Sequence, residues 1–156
     1  MKTTIGISEE NKQKSADLLN VLLADENLLY TKTRNFHWNV TGHNFYGLHI
    51  LLEKDYQELD EMVDDTAERI RQLGHFAVGT MTDYLKLTHL LEVNHANLTA
   101  ENMLRELVND HETIIRILRN DVIKEEACQD SGTADFATAL LEKHEKMAWM
   151  LRSHLS

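Results

Sequence analysis

Between positions 49 and 68 stand four side chains of the types that hold metal ions: His49 and Glu53, then Asp64 and Glu68. Each pair is spaced i,i+4, so on a helix both members project from one side and can offer two ligands to one ion. With Phe45 at zero and about 100° per residue, the four fall near 40°, 80°, 100° and 140°. The core stripe of the same segment (Phe45, Leu48, Leu52, Leu59, Val63, Thr66, Ile70, Leu73) lies roughly between 260° and 360°, so the ligand-type face points away from it. His49 and Glu68 are about 28 Å apart along one helix, which prevents the two pairs from sharing an ion within a chain. Their positions are symmetric, however: the midpoint of 49 and 68 is 58.5, and so is that of 53 and 64. Two copies of the helix crossing antiparallel about a two-fold axis would bring His49 to Glu68 and Glu53 to Asp64, making two identical clusters. His37 can join them if the chain reverses at Thr41-Gly42. The resulting set is His37, His49, Glu53, Asp64 and Glu68. Imidazole and carboxylate donors without sulfur suit Fe(II), Mn(II) or Zn(II), and the acids also suit Fe(III). The plain alternative is a solvated acidic helix face.

The elements that must position these residues follow from hydrophobic spacing. Ser8 before Glu9 and Glu10 reads as an N-cap with acids at the positive end of a helix. Leu18, Leu19, Leu22, Leu29, Thr33 and Phe36 then mark one face of a helix that stops near Thr41-Gly42. A second helix starts around Asn44 and stops at Gly74. The pattern loosens over the 24 residues from His75 to Leu98, with Met81–Thr88 as a short helix. Thr99 caps a third long helix carrying Leu104, Leu107, Val108, His111, Ile114, Ile115, Leu118 and Val122. After a turn at Cys128–Gly132, a fourth helix follows Thr133 with Phe136, Leu140, Met147, Met150 and Leu151. Four amphipathic helices and a long middle crossover predict an all-α four-helix bundle of ferritin-like type, one domain over residues 1–156.

Composition narrows the function. The chain has 156 residues, no Pro and one Cys, which excludes a disulfide framework or a thiolate-rich metal site. No run of apolar residues is long enough to span a membrane, and the N-terminus lacks the apolar stretch of a secretory signal. A cytoplasmic location is therefore expected. The net charge of −10 favours cations over nucleic acid or anionic lipid as partners.

The run Asn35-Phe-His-Trp-Asn-Val-Thr-Gly-His-Asn-Phe-Tyr-Gly-Leu-His49, followed by Asp64-Asp-Thr-Ala-Glu-Arg69, closely resembles the Dps family, the miniferritins. The resemblance extends through Gly79-Thr80 to Trp149-Met-Leu-Arg152. It implies a hollow homododecamer with ferroxidase centres at two-fold dimer interfaces. His37 and His49 match the family's histidine ligands, and Asp64 and Glu68 match carboxylates contributed across the interface. Glu53 departs from the pattern, since the family usually has Asp there. What the resemblance implies is an enzyme that oxidises Fe(II), preferentially with hydrogen peroxide although dioxygen is also an oxidant, and stores Fe(III) mineral. Iron is thus the metal it handles. DNA would be protected indirectly, because only seven residues precede Ser8 and Lys2 is the sole basic one among them; direct DNA binding is not expected. The alternatives are a DNA-compacting member of the family, a non-redox shell storing zinc or manganese, and a purely structural oligomer.

The other groups divide between function and structure. Trp38, beside His37, could intercept oxidising equivalents or pack at an interface. Asp121, Glu125, Glu126 and Asp130 could line a pore that admits iron, or form a solvated helix end. Glu92-Val-Asn-His95 has the Glu-x-x-His spacing of di-iron bundles but occurs once, in the connection, and reads as surface. The remaining histidines, His111 and His144 among them, lack partners at ligand spacing and read as surface or packing. Cys128 reads as incidental.

Overall fold

The computed structural model describes residues 3–94 and 98–155. Among them every regular element is a helix: α1 (Glu9–Asn39), α2 (Phe45–Gln72), α3 (Met81–Leu87), α4 (Ala100–Ala127) and α5 (Ser131–Arg152). The long helices pair as α1 with α2 and α4 with α5. The two hairpins join chiefly through α1 and α4, and α3 lies against α1. This is the expected four-helix bundle with a short helix in its crossover.

Caps set most of the boundaries. Ser8, Thr80 and Thr99 each accept a hydrogen bond from the backbone N–H three residues on, which satisfies a donor the helix leaves open. At the far end of α2, Gly74 takes φ +95°. The amides of Gly74 and His75 then return to the carbonyls of Arg71 and Ile70, closing the helix in a left-handed cap. The α4–α5 corner uses the same device with Gln129 at φ +60°, the amides of Gln129 and Asp130 bonding to the carbonyls of Glu126 and Glu125. Asp130 then caps α5 at once, accepting from the Thr133 amide (3.0 Å) and hydroxyl (2.6 Å). The helix therefore begins at Ser131, two residues earlier than the Thr133 boundary that the sequence predicts.

The interior is built from Leu22, Leu29 and Phe36 of α1, Leu52, Leu59, Met62 and Ile70 of α2, Leu107, Ile114 and Leu118 of α4, and Leu140, Met147 and Leu151 of α5. Two residues assigned to the stripes are exposed. Phe45, in the first turn of α2, is 44% exposed, and Met150, 37% exposed, sits about a quarter of a helix turn off the buried line of Met147 and Leu151. The crossover is tied to α1 by two buried or half-buried polar groups. Asp25 accepts from the Thr88 hydroxyl (2.7 Å) and the His89 amide (2.6 Å), and Asn20 accepts from the Val78 amide (2.9 Å). Glu92 is exposed, whereas His95 and Lys2 lie outside the described residues.

Candidate metal centre

The reversal between α1 and α2 decides the geometry of the two histidines. Val40 leaves α1 in an extended conformation, Gly42 takes φ +118°, and α2 starts at Phe45. His37 in the last turn of α1 and His49 in the first turns of α2 are thereby stacked, with ring centroids 3.9 Å apart and planes inclined by 20°. Each ring reaches the other residue's main chain. His37 Nδ1 lies 2.9 Å from the His49 carbonyl oxygen, and His49 Nδ1 lies 3.0 Å from that of His37.

A carbonyl oxygen can only accept, so both Nδ1 atoms must carry a hydrogen, and in the neutral rings both Nε2 atoms are then lone pairs. This is the tautomer a metal ligand needs, fixed by main-chain groups behind the ring. The arrangement also serves the helix, because the His37 carbonyl is one of the last four of α1 and has no partner within it. His37 is buried and His49 half-buried. Tyr56 meets the His37 ring edge-on (centroids 5.2 Å) and Phe45 covers His49 at 5.1 Å, which accounts for Phe45's place outside the core.

Glu53 is half-buried one turn beyond His49 on α2, while Asp64 and Glu68 are exposed farther along the same helix. At about 1.5 Å per residue, Asp64 stands roughly 22 Å from His49. The fold thus brings His37 and His49 together, with Glu53 a turn away, and keeps Asp64 and Glu68 apart from them. Among the described residues no group of three or more His, Cys, Asp or Glu side chains is placed to hold a metal ion. Trp38 is 63% exposed beside the histidines, with the Arg34 guanidinium 5.1 Å from its ring.

The acids at the end of α4 are not a solvated terminus. Asp121, Glu125 and Asp130 are buried and only Glu126 is exposed. Asp130 also pairs with Arg69 (3.0 Å), Asp121 pairs with Lys124 (2.7 Å), and Glu125 accepts from the Ser15 hydroxyl. Burial pushes the Glu125 carboxyl up to about 6 against the opposing effect of that hydroxyl. His111 and His144 face each other in the core, so they have partners after all, but as packing groups. Cys128 is buried, and its carbonyl accepts from the Asn11 side chain at 2.7 Å.

Residues 16–156 match the family of ferritin-like domains. A DNA protection during starvation protein of Helicobacter pylori is 35% identical over 146 residues, covering 92% of this chain and 99% of that protein. The chain belongs to the ferritin-like family, in its Dps branch. A low temperature-induced protein of Nostoc is 44% identical and spans 99% of this chain and 87% of its own length. The crystal structure of the Vibrio cholerae Dps protein, described as one of a broad superfamily of ferritin-like diiron-carboxylate proteins, superposes with a TM-score of 0.93 at 29% identity. It covers 100% of this chain and 98% of that one. Within the Dps branch, the sequence places the ligand-type residues correctly on helices. It does not reveal the two carbonyl contacts that set the histidine tautomers, because those depend on the path of the turn between them.

Proposed function

We propose that this chain stores iron: it oxidises Fe(II) at centres shared by two-fold-related subunits and retains the Fe(III) product as mineral inside a hollow dodecamer. Membership in the ferritin-like family supports iron storage and oxidative protection, and the diiron-carboxylate character of the Vibrio relative's superfamily supports ferroxidase chemistry. The observation that carries the reading is the reciprocal lock of His37 and His49, which engages both Nδ1 atoms with main-chain carbonyls and leaves both Nε2 atoms free to bind. Fe(II) is the substrate. His37 and His49 bind it from one subunit with Glu53, and Asp64 and Glu68 of the second copy complete the cluster.

Carboxylates balance the charge gained as Fe(II) becomes the harder Fe(III). Holding two Fe(II) ions in one cluster lets hydrogen peroxide take up two electrons without release of hydroxyl radical, and the resemblance to the Dps family is what makes peroxide the preferred oxidant over dioxygen. The net charge of −10 draws cations to the shell and disfavours phosphate backbones. Protection of DNA, in the cytoplasm, is then indirect.

Anaerobic loading with Fe(II) followed by peroxide tests the reading. Rapid oxidation consuming about one peroxide per two Fe(II) is expected, in a particle of dodecameric size. Replacing His37 or His49 by Ala should abolish the fast phase and leave assembly intact. Oxidation no faster than in free solution would overturn the proposal, and retention of Zn(II) without accelerated oxidation would replace it with a non-redox shell.

A further inference from the structure

The centre of the bundle holds a polar group that the metal reading leaves unused. Glu26 of α1, Thr66 of α2, His111 of α4 and His144 of α5 are all fully buried, one from each long helix. Thr66 Oγ1 donates to Glu26 Oε2 (2.9 Å). His144 Nε2 faces Glu26 Oε1 at 3.7 Å, and His144 Nδ1 lies 2.9 Å from His111 Nδ1. The four therefore stand in line across the bundle, in the order Thr66, Glu26, His144, His111. Glu26 Oε1, His144 Nε2 and His111 Nε2 have no hydrogen-bond partner among the described residues.

Two facing Nδ1 atoms share a single proton, because one must donate and the other accept. Each neutral imidazole carries one N–H, so the choice made at Nδ1 dictates both Nε2 atoms. If His111 donates, His144 carries its hydrogen on Nε2, pointing at an ionised Glu26. If His144 donates, its Nε2 is a lone pair facing a Glu26 that carries the proton on Oε1, and His111 holds its hydrogen on Nε2. The arrangements differ by one proton, and bonds balance along the chain. The second arrangement holds one proton more, taken from solvent: it has gained N–H at His111 Nε2 and His144 Nδ1 and O–H at Glu26 Oε1, and has lost N–H at His111 Nδ1 and His144 Nε2.

We propose that the fully buried row of Thr66, Glu26, His144 and His111 holds one removable proton on Glu26 at neutral pH, with the two imidazole tautomers set to match, and that the subunit's stability depends on it. Full burial with no cation in hydrogen-bond contact favours the un-ionised carboxyl. The charges acting on Glu26 from the packed helices are Asp25 on α1, Asp65 on α2 and Lys143 on α5, and α4 contributes the His111 ring. Desolvation is the largest influence and raises Glu26 well above 4.5, with the Thr66 hydrogen bond opposing it. Burial holds both imidazoles below 6.5 and hence neutral. A folded-state value raised above the unfolded one means that stability is fully present below 4.5 and is lost as pH rises through the folded value. The loss reaches tenfold in the folding constant per pH unit, about 1.4 kcal/mol.

Solid-state NMR of the intact assembly with ¹⁵N-labelled histidine tests this without any variant, the pair being recognised by coupling across its N–H···N bond. At pH 7 we expect Nδ1–H on His144 and Nε2–H on His111, with both rings neutral. An infrared band of an un-ionised carboxyl should vanish in Glu26→Gln. That variant should also lose the fall in stability that sets in as pH rises above 4.5. Nε2–H on His144, a charged imidazole in the pair, or a carboxyl band unchanged in the variant would each overturn the proposal.

Discussion

At the His37–His49 pair, two main-chain carbonyls choose the tautomer of two side chains, and under the proposed function this readies both Nε2 atoms as donors before any ion arrives. The spacing of the sequence shows which residue types can bind and on which helix face, because helical angles are regular. It does not show the carbonyl contacts, which arise from the extended Val40 and the positive-φ Gly42. The buried His111 is the complementary case. It stands in the apolar stripe of α4, yet its partner His144 comes from another helix, and only the mutual register of α4 and α5 makes them neighbours. Burial lowers the His111 imidazole to about 3 from its ordinary 6.5. The unfolded chain therefore binds a proton that the folded chain refuses as pH falls from 6.5 toward 3. Stability is fully present above 6.5 and drops below it by up to about 1.4 kcal/mol per pH unit for this one group. Denaturant unfolding of His111→Gln across pH 7 to 4 should show an acid slope shallower by that amount; an unchanged slope would mean the ring is charged in the fold.

Helix ends are where sequence and structure part by a few residues. The sequence identifies Ser8, Thr99 and Gly74 as boundaries because a Ser or Thr before an acid, or a Gly after a periodic run, has one strong local meaning. The α4–α5 corner lacks such a signal. Gln129 occupies the left-handed position where Gly is usual, and Asp130 serves at once in the closing turn of α4 and as the cap of α5. Ser131, Gly132 and Thr133 resemble a loop, so the predicted start slides to Thr133. A side chain at φ +60° costs about 1–2 kcal/mol relative to a residue at ease there. Gln129→Gly recovers part of this, less the extra chain entropy that glycine brings to the unfolded state. A gain of about 0.5–1 kcal/mol is expected, read as a rise of roughly 1–4 °C in Tm. A lower Tm would show that the Gln129 side chain makes a contribution larger than the strain.

For the whole molecule, the mirrored positions of 49 with 68 and 53 with 64 carry the argument beyond one chain. A single subunit separates the histidine half of the proposed cluster from the Asp64–Glu68 half by several helical turns, and exposes Trp38 and Tyr46 beside the histidines. Antiparallel crossing of two α2 helices would unite the halves and cover those rings, with each dimer containing two sites. This arrangement makes a sharp prediction about mixed assemblies. A chain with His37→Ala and His49→Ala lacks one half, and a chain with Asp64→Asn and Glu68→Gln lacks the other, so shells of either alone should not oxidise Fe(II) rapidly. In a mixed dimer one site receives both defective halves, while the other receives the intact histidines of one chain and the intact acids of its neighbour. Random association in equal amounts makes half of the dimers mixed, and each has one working site of two. Peroxide-driven oxidation should therefore recover to about a quarter of the wild-type rate. Stopped-flow absorbance on co-expressed shells, with subunit ratio fixed by mass spectrometry, measures this directly. No recovery, in shells of proven mixed composition, would mean that each centre draws its ligands from one subunit and that the symmetry of the four positions has no part in the chemistry.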